Sequence, residues 1–197
     1  VLPSSGVSLW SNSAIPAGFQ SDLSSVELGV KFTSDQSGTI QGIKFYKDSL
    51  NTGSHTVNLW SNIGTLLAQA QSTNETSSGW QTVNFSSPVN ISSNTTYTAS
   101  YHTASGYSVT RNYFTSQYNN TPLHALSNTS GGNGVYAYSS TPAFPSSSFQ
   151  STNYWVDVVF SSSSSTPTPT PTPTVDTTFP IISSIFISNI TPFASSI

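Results

Sequence analysis

The chain has 197 residues, 35% of them hydrophobic and 12% aromatic, but only 6% charged, with a formal net charge of −3. Four Lys and Arg residues cannot build a phosphate-tracking surface, so nucleic acid is not an expected partner. No apolar run approaches the roughly 18–20 residues of a membrane span, so none is expected. Disordered chains are poor in aromatics, so this composition describes a folded protein with a hydroxyl-rich surface. There is no Cys, which removes disulfide and thiolate chemistry, and no Met even at position 1, which reads as a processed form or a fragment.

Along the chain, period-two alternation dominates. In "VELGVKF", Val26, Leu28, Val30 and Phe32 share one face while Glu27 and Lys31 take the other. "GIKFY" sets Ile43 and Phe45 inward, and "TVNLW" does the same with Val57 and Leu59. "WQTVNF" aligns Val83 with Phe85, and "TYTASYH" aligns Tyr97, Ala99 and Tyr101. "YWVDVVF" sets Tyr154, Val156, Val158 and Phe160 against Trp155, Asp157 and Val159. Turn signals separate these runs, among them "SDQSG" at 34–38, "DSLNTG" at 48–53 and "SGGNG" at 130–134. Strands of this length and spacing predict two packed antiparallel sheets, an all-β sandwich within a first domain at 1–160. Residues 112–153 alternate less cleanly and contain Pro122, Pro142 and Pro145, poor tenants of central strands. They read as long loops pinned by Phe114, Tyr118, Leu123, Leu126, Phe144 and Phe149.

Residues 161–178, "SSSSSTPTPTPTPTVDTT", read as an extended linker about 55 Å long in the polyproline II form. Its closely spaced hydroxyls resemble a mucin-like acceptor, which makes Thr166, Thr168, Thr170, Thr172 and Thr174 candidate O-glycan sites. Asn-x-Ser/Thr triplets at Asn74, Asn84, Asn90, Asn94, Asn119, Asn128 and Asn189 are candidate N-glycan sites. Together these point to an extracellular, secreted or cell-surface protein carrying covalent glycans. Residues 179–197 carry apolar side chains on both faces, with Ile185 and Ile187 one way, Phe186 and Ile190 the other, and Ile181, Ile182 and Phe193 flanking. Such a strand has an unpaired edge that demands a partner. Either it opens a following module, or it completes a sheet in another copy of the chain, head to tail.

The strings "VELGVKFTSDQSGTIQGIKFYKD", "NTGSHTVNLWSNIGTLLA", "SGWQTVNFSSPVNISSNTTYTASYH", "TRNYF", "GGNGVYAY" and "TNYWVDVVF", in that order, resemble the secreted bacterial domain-of-unknown-function 4082 family over about residues 7–160. The resemblance implies a jelly-roll-like sandwich used as a repeated module in large extracellular proteins, beside fibronectin type III-like units and polysaccharide-degrading enzymes. It implies no reaction, ligand or catalytic residue. The tail "TTFPIISSIFISNIT" separately resembles the opening strand of a fibronectin type III-like module.

No catalytic constellation is expected. Glycoside hydrolysis uses two carboxylates across a cleft, whereas Asp22, Glu27, Asp35, Asp48, Glu75 and Asp157 are scattered over turns and strand faces. His55, His102 and His124 lack metal-ligand spacing, and no cofactor is expected. Arg111, the one arginine, is read either as a structural partner of Asp157 or Glu27 or as a ligand-gripping group. Trp10, Trp60 and Trp80 are read either as core or as sugar-stacking platforms. The repeated "SLWSN" and "NLWSN" suggest equivalent positions for the first two. The leading expectation is a non-enzymatic structural subunit of a filament or fibre, with other copies as its partners. The alternative is a carbohydrate-binding module of a larger secreted enzyme or adhesin.

Overall fold

The computed structural model describes residues 6–163, 183–186 and 188. Chain contacts divide the protein into two units, Val1–Ser164 and Ser165–Ile197. The first is an antiparallel β-sandwich.

Its larger sheet is organised around β2 (Val26–Ser34), whose alternating Val26, Leu28, Val30 and Phe32 are all buried. On one side β2 pairs with β7 (Tyr97–Thr103), which pairs with β4 (Thr56–Ser61), which pairs with the edge strand β5 (Leu66–Gln71). On its other side β2 pairs with β10 (Leu123–Ala125) near its end and with β11 (Val135–Tyr138) near its start. β10 carries β9 (Tyr118–Asn120), and β11 carries the two-residue β12 (Ser147–Ser148). The opposing sheet has three strands, β3 (Gly38–Lys47) between β13 (Val156–Ser162) and β6 (Gly79–Ile91). A short ribbon of β1 (Gly18–Gln20) and β8 (Tyr107–Val109) stands apart from both.

The core lies where the two sheets face each other. Leu28, Val30, Leu59, Ala99 and Tyr101 of the larger sheet are buried with Ile43, Phe45, Val156, Val158 and Phe160 of the smaller. Phe45 and Tyr101 stack across the interface at 4.7 Å between ring centroids. In β3, Ile40 and Ile43 are both fully buried although three residues apart, out of step with a strand's period of two. A register shift between Ile40 and Gly42 restores the phase. Gly42 makes this fit, because a Cβ there would overlap the Val83 carbonyl of β6.

Two sequence expectations are corrected, the loop reading of 112–153 and the equivalence of Trp10 and Trp60. The segment 112–153 is not only loop. It supplies β9 to β12, because β2 has an open edge long enough for β10 and β11 to dock side by side. Phe114 and Leu123 pin it as expected, whereas Phe149 is half exposed and Tyr118, Leu126 and Phe144 are half-buried. The outward faces of the strands are not all solvated. Residues 139–145 lie over the larger sheet, with Pro145 against Gly29 and Phe144 against Trp60, so outward-facing Glu27 is buried. Likewise the segment around Leu9 and Trp10 covers β13, its amides donating to Asp157 at 2.6 and 3.2 Å. Trp10 and Trp60 are therefore not equivalent, since one sits in this irregular covering segment and the other in β4.

The linker threonines Thr166, Thr168, Thr170, Thr172 and Thr174 lie outside the described residues, as do Ile181, Ile182, Ile187, Asn189, Ile190 and Phe193. Of the tail, Ile185 and Phe186 are described, in no strand and 80% and 97% exposed.

Candidate functional site

A cavity of about 280 Å³ opens where the β1–β8 ribbon, β11 and the chain entering β13 converge. Period-two geometry builds its walls. Tyr107 and Val109 project from one face of β8, Tyr136 and Tyr138 from one face of β11, and Thr152 and Tyr154 from the segment before β13. Gln20, Asp22, Arg111 and Phe149 complete the rim. Tyr107 and Tyr154 meet edge to face at 5.7 Å, as do Tyr136 and Tyr138. Tyr138 and Phe149 are 58% and 50% exposed, so each offers a ring face to solvent.

The wall around Phe149 is held in an unusual backbone conformation. Gln150, Ser151 and Trp155 have φ of 49°, 48° and 57°, a left-handed region that bulky residues rarely occupy. Ties to the neighbouring segment hold them there. The Gln150 carbonyl accepts from the Asn112 amide, and the Ser151 carbonyl accepts from Tyr113 and Phe114. The Trp155 amide donates to Asn153 Oδ1 at 2.7 Å, and its indole N–H donates to Thr110 Oγ1 at 2.9 Å. Backbone held off its preferred minima by surrounding contacts recurs at preformed ligand sites.

The polar groups have distinct electrostatic states. Tyr138 donates to Asp22 Oδ2 at 2.7 Å, and this bond holds the Asp22 carboxyl below its ordinary range while raising the Tyr138 phenol. Burial pushes Tyr107 and Tyr154 up to about 12, so both remain neutral phenols. Arg111 donates to Gln20 Oε1 at 2.9 Å and to Gln150 Oε1 at 3.5 Å, and its guanidinium lies 5.9 Å from the centre of the Phe149 ring. The cavity thus combines apolar ring faces, neutral hydroxyls, one carboxylate and one cation. Such a surface binds a ligand with both C–H faces and hydroxyls. Asp22 is the cavity's one carboxylate, and its lowered pKa is opposite to what a general acid needs.

The expected positions are distributed otherwise. Trp10 is 2% exposed, with its ring between Trp80, Trp155, Tyr113 and Tyr118 and its N–H on the Tyr113 hydroxyl. Trp60 is 6% exposed beneath Phe144 and donates to Ser100 Oγ at 2.7 Å. Neither can stack a sugar, because a ring face covered by protein offers no surface. Trp80 is half-buried, packed by Trp10 and overlaid by Lys44 Nζ at 4.8 Å, with its N–H on the Ala14 carbonyl. Arg111 does not pair with Asp157 or Glu27. Asp157 takes Lys44 at 3.5 Å, and Glu27 takes Asn58 and Ser100 at 2.8 and 2.5 Å. Asn74, Asn84, Asn90, Asn94 and Asn119 are exposed, while Asn128 is half-buried with Oδ1 accepting from the Asn133 amide.

The histidines do not share a ligand or a partner. His55 is buried between Glu75 at 2.8 Å and Asn51 at 2.7 Å, His102 meets the Ser139 carbonyl, and His124 meets Asp35. Of the cavity residues, sequence reasoning singled out Arg111 for a binding role and missed the tyrosines. The available signal was "VYAY", whose alternation sets two tyrosines on one face with no apolar partner.

A family model described as a domain of unknown function (DUF4082) matches residues 13–156, and the chain belongs to that family. No curated protein matches the chain.

Proposed function

We propose that this chain is a non-enzymatic extracellular binding module, and that the tyrosine-lined cavity holds a saccharide. The observation that carries this reading is a cavity where exposed Tyr138 and half-exposed Phe149 flank Asp22 and Arg111, with half-buried Tyr136 and the buried Tyr107 and Tyr154 completing its walls. Aromatic faces accept the C–H surface of a pyranose, and phenols and the carboxylate serve its hydroxyls. The volume, about 280 Å³, lies just below the roughly 300–1,000 Å³ typical of ligand sites, which suits one or two sugar rings. Titrating an oligosaccharide panel into the isotopically labelled full chain should shift amide signals around Tyr138 and Phe149. Tyr138→Ala and Phe149→Ala should each weaken binding about tenfold, in line with losing about 1–2 kcal/mol of stacking. Binding that survives both changes would move the site elsewhere.

A second reading keeps the chain as a structural subunit joined head to tail through its C-terminal segment. Two observations favour it. Ile185 and Phe186 are exposed, and the edge strand β5, "LLAQAQ", carries neither charge nor proline to discourage pairing. Concentration-dependent assembly of the full chain is its signature.

A further inference from the structure

We propose that the cavity selects an acidic saccharide, one whose ring carries a carboxylate, with Arg111 as the anchor for that group. The inference rests on the saccharide reading and adds the ligand's charge. Arg111 is the one arginine in a chain of net charge −3. None of the three lysines lines the cavity: Lys44 pairs with Asp157, Lys47 with Glu75 at 2.9 Å, and Lys31 donates to the Gly131 carbonyl at 2.8 Å. Arg111 differs. Among the described residues no carboxylate lies within 4.0 Å of it, and its protein partners are two neutral amide oxygens. Two of its five N–H groups are used in this way, which orients the guanidinium plane and leaves donors for a ligand. A guanidinium without a counter-ion at the rim of an aromatic cavity matches a planar carboxylate in both charge and geometry.

Asp22 fixes the orientation. It sits on the same cavity without pairing to Arg111, and its bond to Tyr138 keeps it ionised. A ligand carboxylate is repelled from that side and drawn to Arg111, while hydroxyls are accepted by Asp22. A neutral sugar satisfies Asp22 and the ring faces but leaves the guanidinium unanswered. A simple inorganic anion satisfies the guanidinium and leaves the aromatic walls unused.

The test compares digalacturonate with its dimethyl ester, which keeps the shape and removes the charge. Both are titrated at pH 7 into the full chain, with amide shifts as readout. The wild type should bind the acid at least tenfold more tightly than the ester. Arg111→Gln should lose that tenfold for the acid and nothing for the ester, and Arg111→Lys should fall between, since an ammonium keeps the charge but not the fork. Equal binding of acid and ester by the wild type overturns the charge selection and leaves the saccharide reading standing. Binding of neither overturns both. If Arg111→Gln weakens the ester as much as the acid, the residue only shapes the cavity wall, and the inference is wrong.

Discussion

Glu27 lies on the face of β2 turned away from the core, as alternation places it, yet it is fully buried beneath residues 139–145. Its Oε1 accepts from Asn58 and Ser100, while Oε2 has no hydrogen-bond partner. Burial raises its pKa from an ordinary 4.5 to about 7, against the lowering effect of those two donors. The folded chain therefore keeps a proton that the unfolded chain has released. A carboxyl raised in this way supports folding fully below pH 4.5, and its support is lost as pH rises through 7. Over that window the change is about 3 kcal/mol. Asp157, raised by burial to about 6, acts in the same direction over a lower window. Melting curves from pH 4.5 to 8 should carry this loss in the wild type, offset in part by His55, whose burial lowers its pKa and favours folding as pH rises. Glu27→Gln, which retains an acceptor for Asn58 and Ser100, should flatten the part nearest neutrality. Parallel curves for the two proteins would refute this account. The alternation in "VELGVKF" made the face of Glu27 legible, but not its burial, because the covering segment lies more than a hundred residues away and carries no periodic signal.

Elements were legible in proportion to how much of their own apolar face they carry. β2, β4 and β7 bury continuous alternating rows, and their strands stand out in the sequence. β11 does not, because its "VYAY" puts Val135 on the outward face with Gly29 and Glu27 of β2 and places Tyr136 and Tyr138, paired with Leu28 and Val26, at the cavity. β5, with mostly exposed residues, carries almost no signal. Trp155, at φ 57°, breaks the alternation that "YWVDVVF" displays, so β13 begins at Val156. The start of β11 depends on Gly134, whose φ is 68° and where an added Cβ would overlap the Thr152 carbonyl. Thr152 lines the cavity, so this close approach joins β11 to the opposite wall. Gly131, at φ 87° with nothing near its missing Cβ, is the control. Gly131→Ala should cost only the left-handed backbone preference, about 1 kcal/mol, and leave saccharide binding intact. Gly134→Ala should cost clearly more in chemical denaturation and also abolish binding. Equal losses for the two would mean that the Gly134–Thr152 approach does not support the cavity.

At the scale of the whole molecule, two surfaces bear on association, and they need different partners. The cavity suits a small ligand and makes no demand on other copies. The β5 edge and the apolar tail suit a strand-to-strand contact, in which main-chain hydrogen bonds supply affinity and side chains alternate between faces. Natural edge strands are protected by charge, proline or brevity, and the contrast within this sandwich is instructive. β6 carries Pro88 and β12 is two residues long, whereas β5 presents six residues with Leu66 and Leu67 at 43% and 38% exposure. If the tail of one copy pairs with β5 of the next, two independent lesions must have the same effect. Ile185→Asp with Ile187→Asp places charge in the donor, and Leu67→Lys places charge on the acceptor edge. Each should reduce assembly measured by light scattering at least tenfold, while the melting temperature of the sandwich stays within a few degrees, since Leu67 is outside its core cluster and Ile185 is 80% exposed. A full chain that stays monomeric at high concentration, or assemblies that survive both lesions, would remove strand donation as a mechanism. Saccharide binding does not depend on that result, because among the described residues none that lines the cavity lies on β5.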